Sequence, residues 1–186
     1  MSEEKAKFVA PRTVTPLGGD FYMVNHITEG MCNTLFDMMD DNQRDELKAI
    51  YGDSDEAARA GLWDEIRTSG HQAAFYDGTT LTCGMWAEWC NITGVGRKRV
   101  IGCFCNTEYA KRMTRKFVKF TPICRDAFEL GEPPDVDELL VFIATGFKSS
   151  REWAVRVGGF EQYFHARFDA KRFVCYHRKI GGGNGL

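Results

Sequence analysis

A chain of 186 residues, 44% hydrophobic and 27% charged, can bury a substantial core and is short for two ordinary domains. Its composition is that of a soluble globular protein. No apolar run approaches the ~20 residues that cross a bilayer, and the polar start Met1-Ser2-Glu3-Glu4-Lys5 has no signal-peptide core behind it.

The first expected element is a strand over residues 7–15, interrupted by Pro11. Residues 26–39 place Ile27, Met31, Leu35 and Met38 at helical spacing. Asp40-Asp41-Asn42 marks a turn, and Leu47, Ile50 and Tyr51 form a second helical stripe that ends near Gly52. Asp53-Ser54-Asp55-Glu56 opens a third helix, with carboxylates at the favourable end of its dipole, and Ser69-Gly70 closes it. The period then changes. Residues 72–76 and 79–90 read as strands joined by the hairpin signal Asp77-Gly78. Residues 91–98 form a basic, glycine-containing loop, and residues 99–105 a further strand. Asn106 or Thr107 caps a long basic helix that reaches Leu130, with a kink expected at Pro122. Gly131-Glu132-Pro133-Pro134-Asp135 reads as a surface turn, and the apolar run at 139–144 as a buried central strand. Ser149 and Glu152 have capping-box spacing for a short helix that stops at Gly158-Gly159. Strands over 160–168 and 172–179 form the closing hairpin. With no repeat or linker, the expectation is a single domain over residues 7–180 with flexible termini at 1–6 and 181–186.

The net charge of −2 conceals two opposed stretches: residues 29–65 carry eleven acidic side chains against three basic, and residues 97–125 carry nine basic against Glu108 alone. The basic stretch reads either as an anion-attracting face or as a solvated helix face paired with the acidic half. Phe117, Phe120 and Phe128 recur at core spacing and not as base-stacking platforms, so no nucleic-acid partner is expected. The cysteines number seven, and Cys83, Cys90, Cys103, Cys105, Cys124 and Cys175 lie in apolar segments, which suits reduced core thiols better than disulfides. Cys103 and Cys105 share a strand face, but no C-x-x-C or nearby histidine completes a zinc set, so no metal is expected.

The order of elements, with Gly158-Gly159-Phe160 after the short helix, resembles the GNAT (acyl-CoA N-acyltransferase) fold over nearly the whole chain. It is more closely similar to the GNAT-like proteins of tailed bacteriophages, including the internal virion protein family of podophages. Three segments carry this likeness: Asp77-Gly78 with the Gly84 strand; Arg115-Lys116-Phe117-x-Lys119 continuing to Arg125-Asp126; and residues 139–150 with the Trp153 helix, Gly158-Gly159-Phe160 and the Phe173 strand. The resemblance implies an α/β mixed central sheet of about six to seven strands with helices on both faces. It implies acetyl-CoA or CoA as the ligand, lying between the 99–105 and 139–144 strands, with Cys105, Asn106, Thr107, Lys111, Arg112 and Thr145 as the contacting residues. Glu88 is the implied base and Tyr163 the implied acid.

The chain departs from the family pattern in one important place. The diphosphate loop of the family is Arg/Gln-x-x-Gly-x-Gly/Ala, but the matching junction here is Cys105-Asn106-Thr107-Glu108-Tyr109-Ala110, without glycine and with a carboxylate in the first turn. Gly94-Val95-Gly96-Arg97 precedes a strand and not a helix, so it does not replace that loop. Two functions are therefore expected to compete. One is a virion-associated or morphogenesis protein of a tailed phage, with acyl transfer lost or reduced, acting through phage structural or host proteins in the host cytoplasm during infection or in the virion. The alternative is a working acetyl-CoA-dependent N-acetyltransferase that modifies a host protein or small amine.

Overall fold

The computed structural model describes residues 13–89, 98–132, 136–168 and 171–180. Eight strands form one sheet: β1 (Val14–Gly18), β2 (Phe21–Val24), β3 (His71–Asp77), β4 (Thr80–Trp89), β5 (Lys98–Cys105), β6 (Glu138–Ala144), β7 (Glu161–Phe168) and β8 (Lys171–Lys179). Their order is β1-β2-β3-β4-β5-β6-β8-β7. Among the described residues β5–β6 is the one parallel pair, and parallel neighbours need a crossover connection.

Three helices separate β2 from β3, and each opens on a side-chain oxygen that accepts a backbone N–H. Helix α1 (Glu29–Asp37) is capped by Thr28, α2 (Asp41–Tyr51) by Asp40 and α3 (Asp55–Thr68) by Ser54. They cover one sheet face, where Ile27, Leu35, Phe36, Leu62 and Ile66 bury against Trp86 and Phe104. The opposite face is covered by α5 (Thr114–Glu129) and α6 (Lys148–Arg156), through Phe120, Cys124, Phe128 and Ala154. Gly102 on β5 has a specific packing role: a Cβ there would lie 1.9 Å from the Trp86 ring, so only glycine lets the indole cross the strand.

The sheet is wider than the six to seven strands expected. The difference lies at its first edge, where the reversal at Gly18 and Gly19, both at positive φ, makes a β1–β2 hairpin. Residues 7–12 of the expected first strand lie outside the described residues, as do the 91–97 loop and its Gly94–Gly96 pair. The long basic helix is two helices. Helix α4 (Thr107–Arg112) ends at Met113, where φ −115° and ψ 35° leave the helical region. The Thr114 hydroxyl takes the Ala110 and Lys111 carbonyls released there. Helix α5 then continues through Pro122, the position where the kink was expected. The short helix begins one residue before Ser149. Phe147 is its N-cap without a side-chain bond, and Glu152 pairs with Lys148 instead of turning back to cap. Glu132, expected on a surface turn, is buried: its carboxylate lies 3.0 Å from Arg99 Nε and 2.8 Å from His71 Nδ1. An arginine on β5 needs a counter-charge inside the protein, and this carboxylate supplies it.

Candidate functional site

β5 and β6 share three rungs, Lys98↔Glu138, Arg99↔Leu139 and Val100↔Leu140, and then part. β4 follows β5 to Cys105, and β8 follows β6 to Ala144. Five residues of β5 and four of β6 therefore line an opening roughly 13–16 Å long at ~3.3 Å per residue. Such an opening leaves strand edges without a neighbour, and those backbone groups need other partners.

The closed root of this opening is held by charge. Lys98 pairs with Glu138, and His177 Nδ1 lies 3.2 Å from the same carboxylate. Burial acts to raise the Glu138 pKa, but Lys98 and His177 outweigh it and hold the carboxyl below its usual value. Tyr163 stacks on His177 with ring centroids 4.5 Å apart, and Lys98 sits over its ring.

The open mouth is crossed by α2. On the β5 side, Gln43 Nε2 donates to the Cys105 thiol at 3.7 Å, and Asp40 pairs with Lys111 at 2.9 Å. On the β6 side, the Ser150 hydroxyl donates to Glu46 Oε2 at 3.0 Å. The backbone of Ala144, the last residue of β6, gives Glu46 a second hydrogen bond. Lys171 of β8 donates to the Ala49 carbonyl. Burial pushes Glu46 up to about 7, more than its two neutral hydrogen bonds pull it down. A carboxyl whose pKa burial has raised thus stands at the mouth. Beside it, Asn42, Gly146, Phe147, Lys148, Ser149 and Glu152 line an open groove of about 420 Å³.

The expected ligand-contacting residues do gather on the β5 side of this mouth, with Thr145 across from them. Asn106, however, is committed to structure. Its Oδ1 caps Tyr109 N–H at 2.8 Å, and its amide donates to the Leu81 carbonyl. The Thr107 N–H and hydroxyl both donate to the Met38 carbonyl, at 3.2 and 3.0 Å. Thr145 N–H donates to the Arg172 carbonyl. Cys105 is pushed up to about 12, first by burial, so it remains a thiol. Lys111 and Arg112 project from the last turn of α4, exposed. Glu88 and Tyr163 are at the other end. Glu88 pairs with Val100, the last rung of the root, roughly 16 Å along β5 from Cys105. Burial and the nearby Glu65 raise the Glu88 pKa.

The mouth offers one group that a CoA pantetheine arm would use, and the helix start offers a diphosphate no free Thr107 amide. Gln43 Oε1 is buried there without a partner among the described residues, which suits an incoming amide N–H. At the start of α4, the Thr107 amide that would meet a phosphate is already used. No group of His, Cys, Asp and Glu among the described residues could hold a metal. Sequence reasoning missed Glu46. Its one signal was an acidic residue beside Leu47 and one turn before Ile50, at the margin of an inward stripe.

No family model matches the sequence, and no curated protein is significantly similar to it. Solved structures do match. RimL, a ribosomal L7/L12 alpha-N-protein acetyltransferase in its apo form, is 10% identical with a TM-score of 0.58, covering 91% of this chain and 95% of that one. The same enzyme in complex with coenzyme A is 12% identical with a TM-score of 0.57, over 91% and 99% of the two chains. yncA from Salmonella typhimurium, solved with acetyl-CoA, is 10% identical with a TM-score of 0.52, over 90% and 98%. At these identities the likeness concerns architecture: this chain has the α/β fold of the GNAT acetyltransferases, with a mixed sheet of eight strands flanked by six helices.

Proposed function

We propose that the protein is an acyl-CoA-dependent N-acyltransferase, with acetyl-CoA as donor and a primary amine of a host protein or a small molecule as acceptor. The observation that carries this reading is the parting of β5 from β6 after three rungs, with polar side chains of α2 turned into the gap. The donor supplies an acyl group activated as a thioester. Cys105, Gln43 and Thr145 would line its arm. Lys111 and Arg112 would meet its phosphates as side-chain cations, because the Asn106–Thr107 junction has no free glycine amides to offer.

A second reading is supported by that same junction. The Met38 carbonyl holds the Thr107 amide, and Glu108 puts a negative charge in the first turn, an arrangement suited to a protein that has given up the diphosphate. In that reading the protein serves a tailed phage through contacts with structural or host proteins, during morphogenesis or inside the virion.

Thermal unfolding with acetyl-CoA separates the two. Binding raises stability by ~2.7 kcal/mol at a hundredfold excess over Kd. An unchanged melting temperature at millimolar acetyl-CoA would sink the acyltransferase. Recovery of the protein in purified mature particles, with no such shift, would establish the virion role.

A further inference from the structure

We propose that Glu46 is the residue that meets the acceptor amine at the mouth and takes its proton, with Ser150 orienting its carboxylate. This deepens the acyltransferase reading and rests on it for the chemical step, but the amine site is testable by itself.

Glu46 is the carboxylate placed across the opening from Cys105, because α2 spans from the β5 end, through Gln43, to the β6 end. The two groups bonded to it, the Ser150 hydroxyl and the Ala144 backbone, are both neutral. Three lysines of the neighbouring elements are engaged elsewhere: Lys171 of β8 on the Ala49 carbonyl, Lys148 of α6 with Glu152, and Lys48 of α2 with Asp55, while Arg151 of α6, next to Ser150, has its Nε buried without a hydrogen-bond partner among the described residues. Cys105 of β5, which accepts from Gln43, is a neutral thiol. A partly buried carboxylate without a cationic partner favours a cation that arrives from solvent. An alkylammonium bound there hands one proton to Glu46. The neutral nitrogen then attacks the thioester carbonyl carbon; a C–N bond forms and the C–S bond breaks, its electron pair leaving with sulfur. The second nitrogen proton passes to that thiolate, and Glu46 returns its own to water. Burial, which brings Glu46 to about 7, suits it to exchange protons at neutral pH.

The test uses the full chain, acetyl-CoA and the tripeptide Ser-Ala-Lys, which offers an α- and an ε-amine. The Glu46 side-chain carboxyl is followed by carbon NMR as pH is varied. Saturating tripeptide should lower its midpoint by about one unit, as an adjacent opposite charge does. In steady state, kcat/KM should rise with pH through about 7 in the wild type. Glu46→Gln should lose that limb and at least about 100-fold of the rate, while its thermal shift with acetyl-CoA persists. A midpoint unmoved by the tripeptide, or a Glu46→Gln enzyme with wild-type rate and pH profile, overturns the proposal. A tripeptide-dependent midpoint in a protein that ignores acetyl-CoA would keep the amine site and remove the acyl transfer.

Discussion

At the root of the β5–β6 pair, Glu138 faces Lys98 and His177; at the mouth, Glu46 faces a serine hydroxyl and a backbone amide. Both carboxylates are removed from water, and in both burial is the largest influence. At the root, the Lys98 ammonium and the His177 hydrogen bond overcome it and hold the carboxyl below its usual value. At the mouth, neutral donors cannot, and the group titrates at about 7. One end of the opening is thus fixed by a permanent charge pair, and the other carries a group able to change its charge. Three rungs are a short attachment for two strands, so the charge pair at their base contributes to where the parting begins.

The strongest way to break this contrast is to remove the root cation. Lys98→Met leaves Glu138 buried with only His177 beside it. We expect a loss of about 4 kcal/mol in urea unfolding, in the range for one-sided removal of a buried ion pair. Lys98→Met combined with Glu138→Leu should recover most of that loss, because no charge is then stranded. A cost below about 1 kcal/mol for the single change would mean that the root pair behaves as a surface pair.

The next effect is a difference in pH dependence. Glu46 has a folded value of about 7 against an ordinary carboxyl value of 4.5. Between those values the native state holds a proton that the unfolded chain has lost. Its contribution is therefore fully present below about 4.5 and lost as pH rises through about 7. Glu46→Gln removes this dependence, so the variant should gain about 3 kcal/mol relative to wild type between pH 4 and pH 8. Glu138→Gln should show the opposite sign. Glu138 is held low, so its contribution exists above the ordinary carboxyl value and is lost as pH falls through the folded one. Parallel curves for the two variants against wild type would erase the distinction between root and mouth.

Much of the fold was legible because local signals agreed with one another. Ser54, Asn106, Asp77-Gly78 and Gly158-Gly159 act locally, through caps and turns, and they lie where the sequence puts them. The apolar run of β6 was legible in its residues, while the parting of β5 from β6 was an implication of the family resemblance. The failures concern partners distant in sequence. Glu132 reads as a loop residue until folding brings it to Arg99 and His71. Nothing near Thr107 announces that the Met38 carbonyl, 69 positions earlier, takes its hydroxyl. Glu46 and Ser150 are separated by 104 positions, and no spacing rule connects a helix between β2 and β3 to one between β6 and β7. Tyr163 and Glu88 were the acid and base that the family resemblance implied, and both lie beside the root.

The smallest expected effect sharpens the mouth alone. Ser150→Ala removes a hydroxyl that donates to Glu46 at 3.0 Å and draws its pKa down. The ionised carboxylate loses one donor, and its neutral form loses less, so the midpoint must rise further. The stability cost at pH 8 should be about 1 kcal/mol, the usual net worth of one such bond. At pH 5, where Glu46 is mostly protonated in both proteins, the cost should shrink. Two measurements check this: the carbon-NMR midpoint of Glu46, and urea unfolding at both pH values. An equal loss at pH 5 and pH 8 would assign Ser150 to the packing of α6. A loss confined to the higher pH, with the kcat/KM limb displaced upward by the same interval as the midpoint, would tie the hydroxyl to the ionised state of Glu46 and so to the proton that the mouth exchanges.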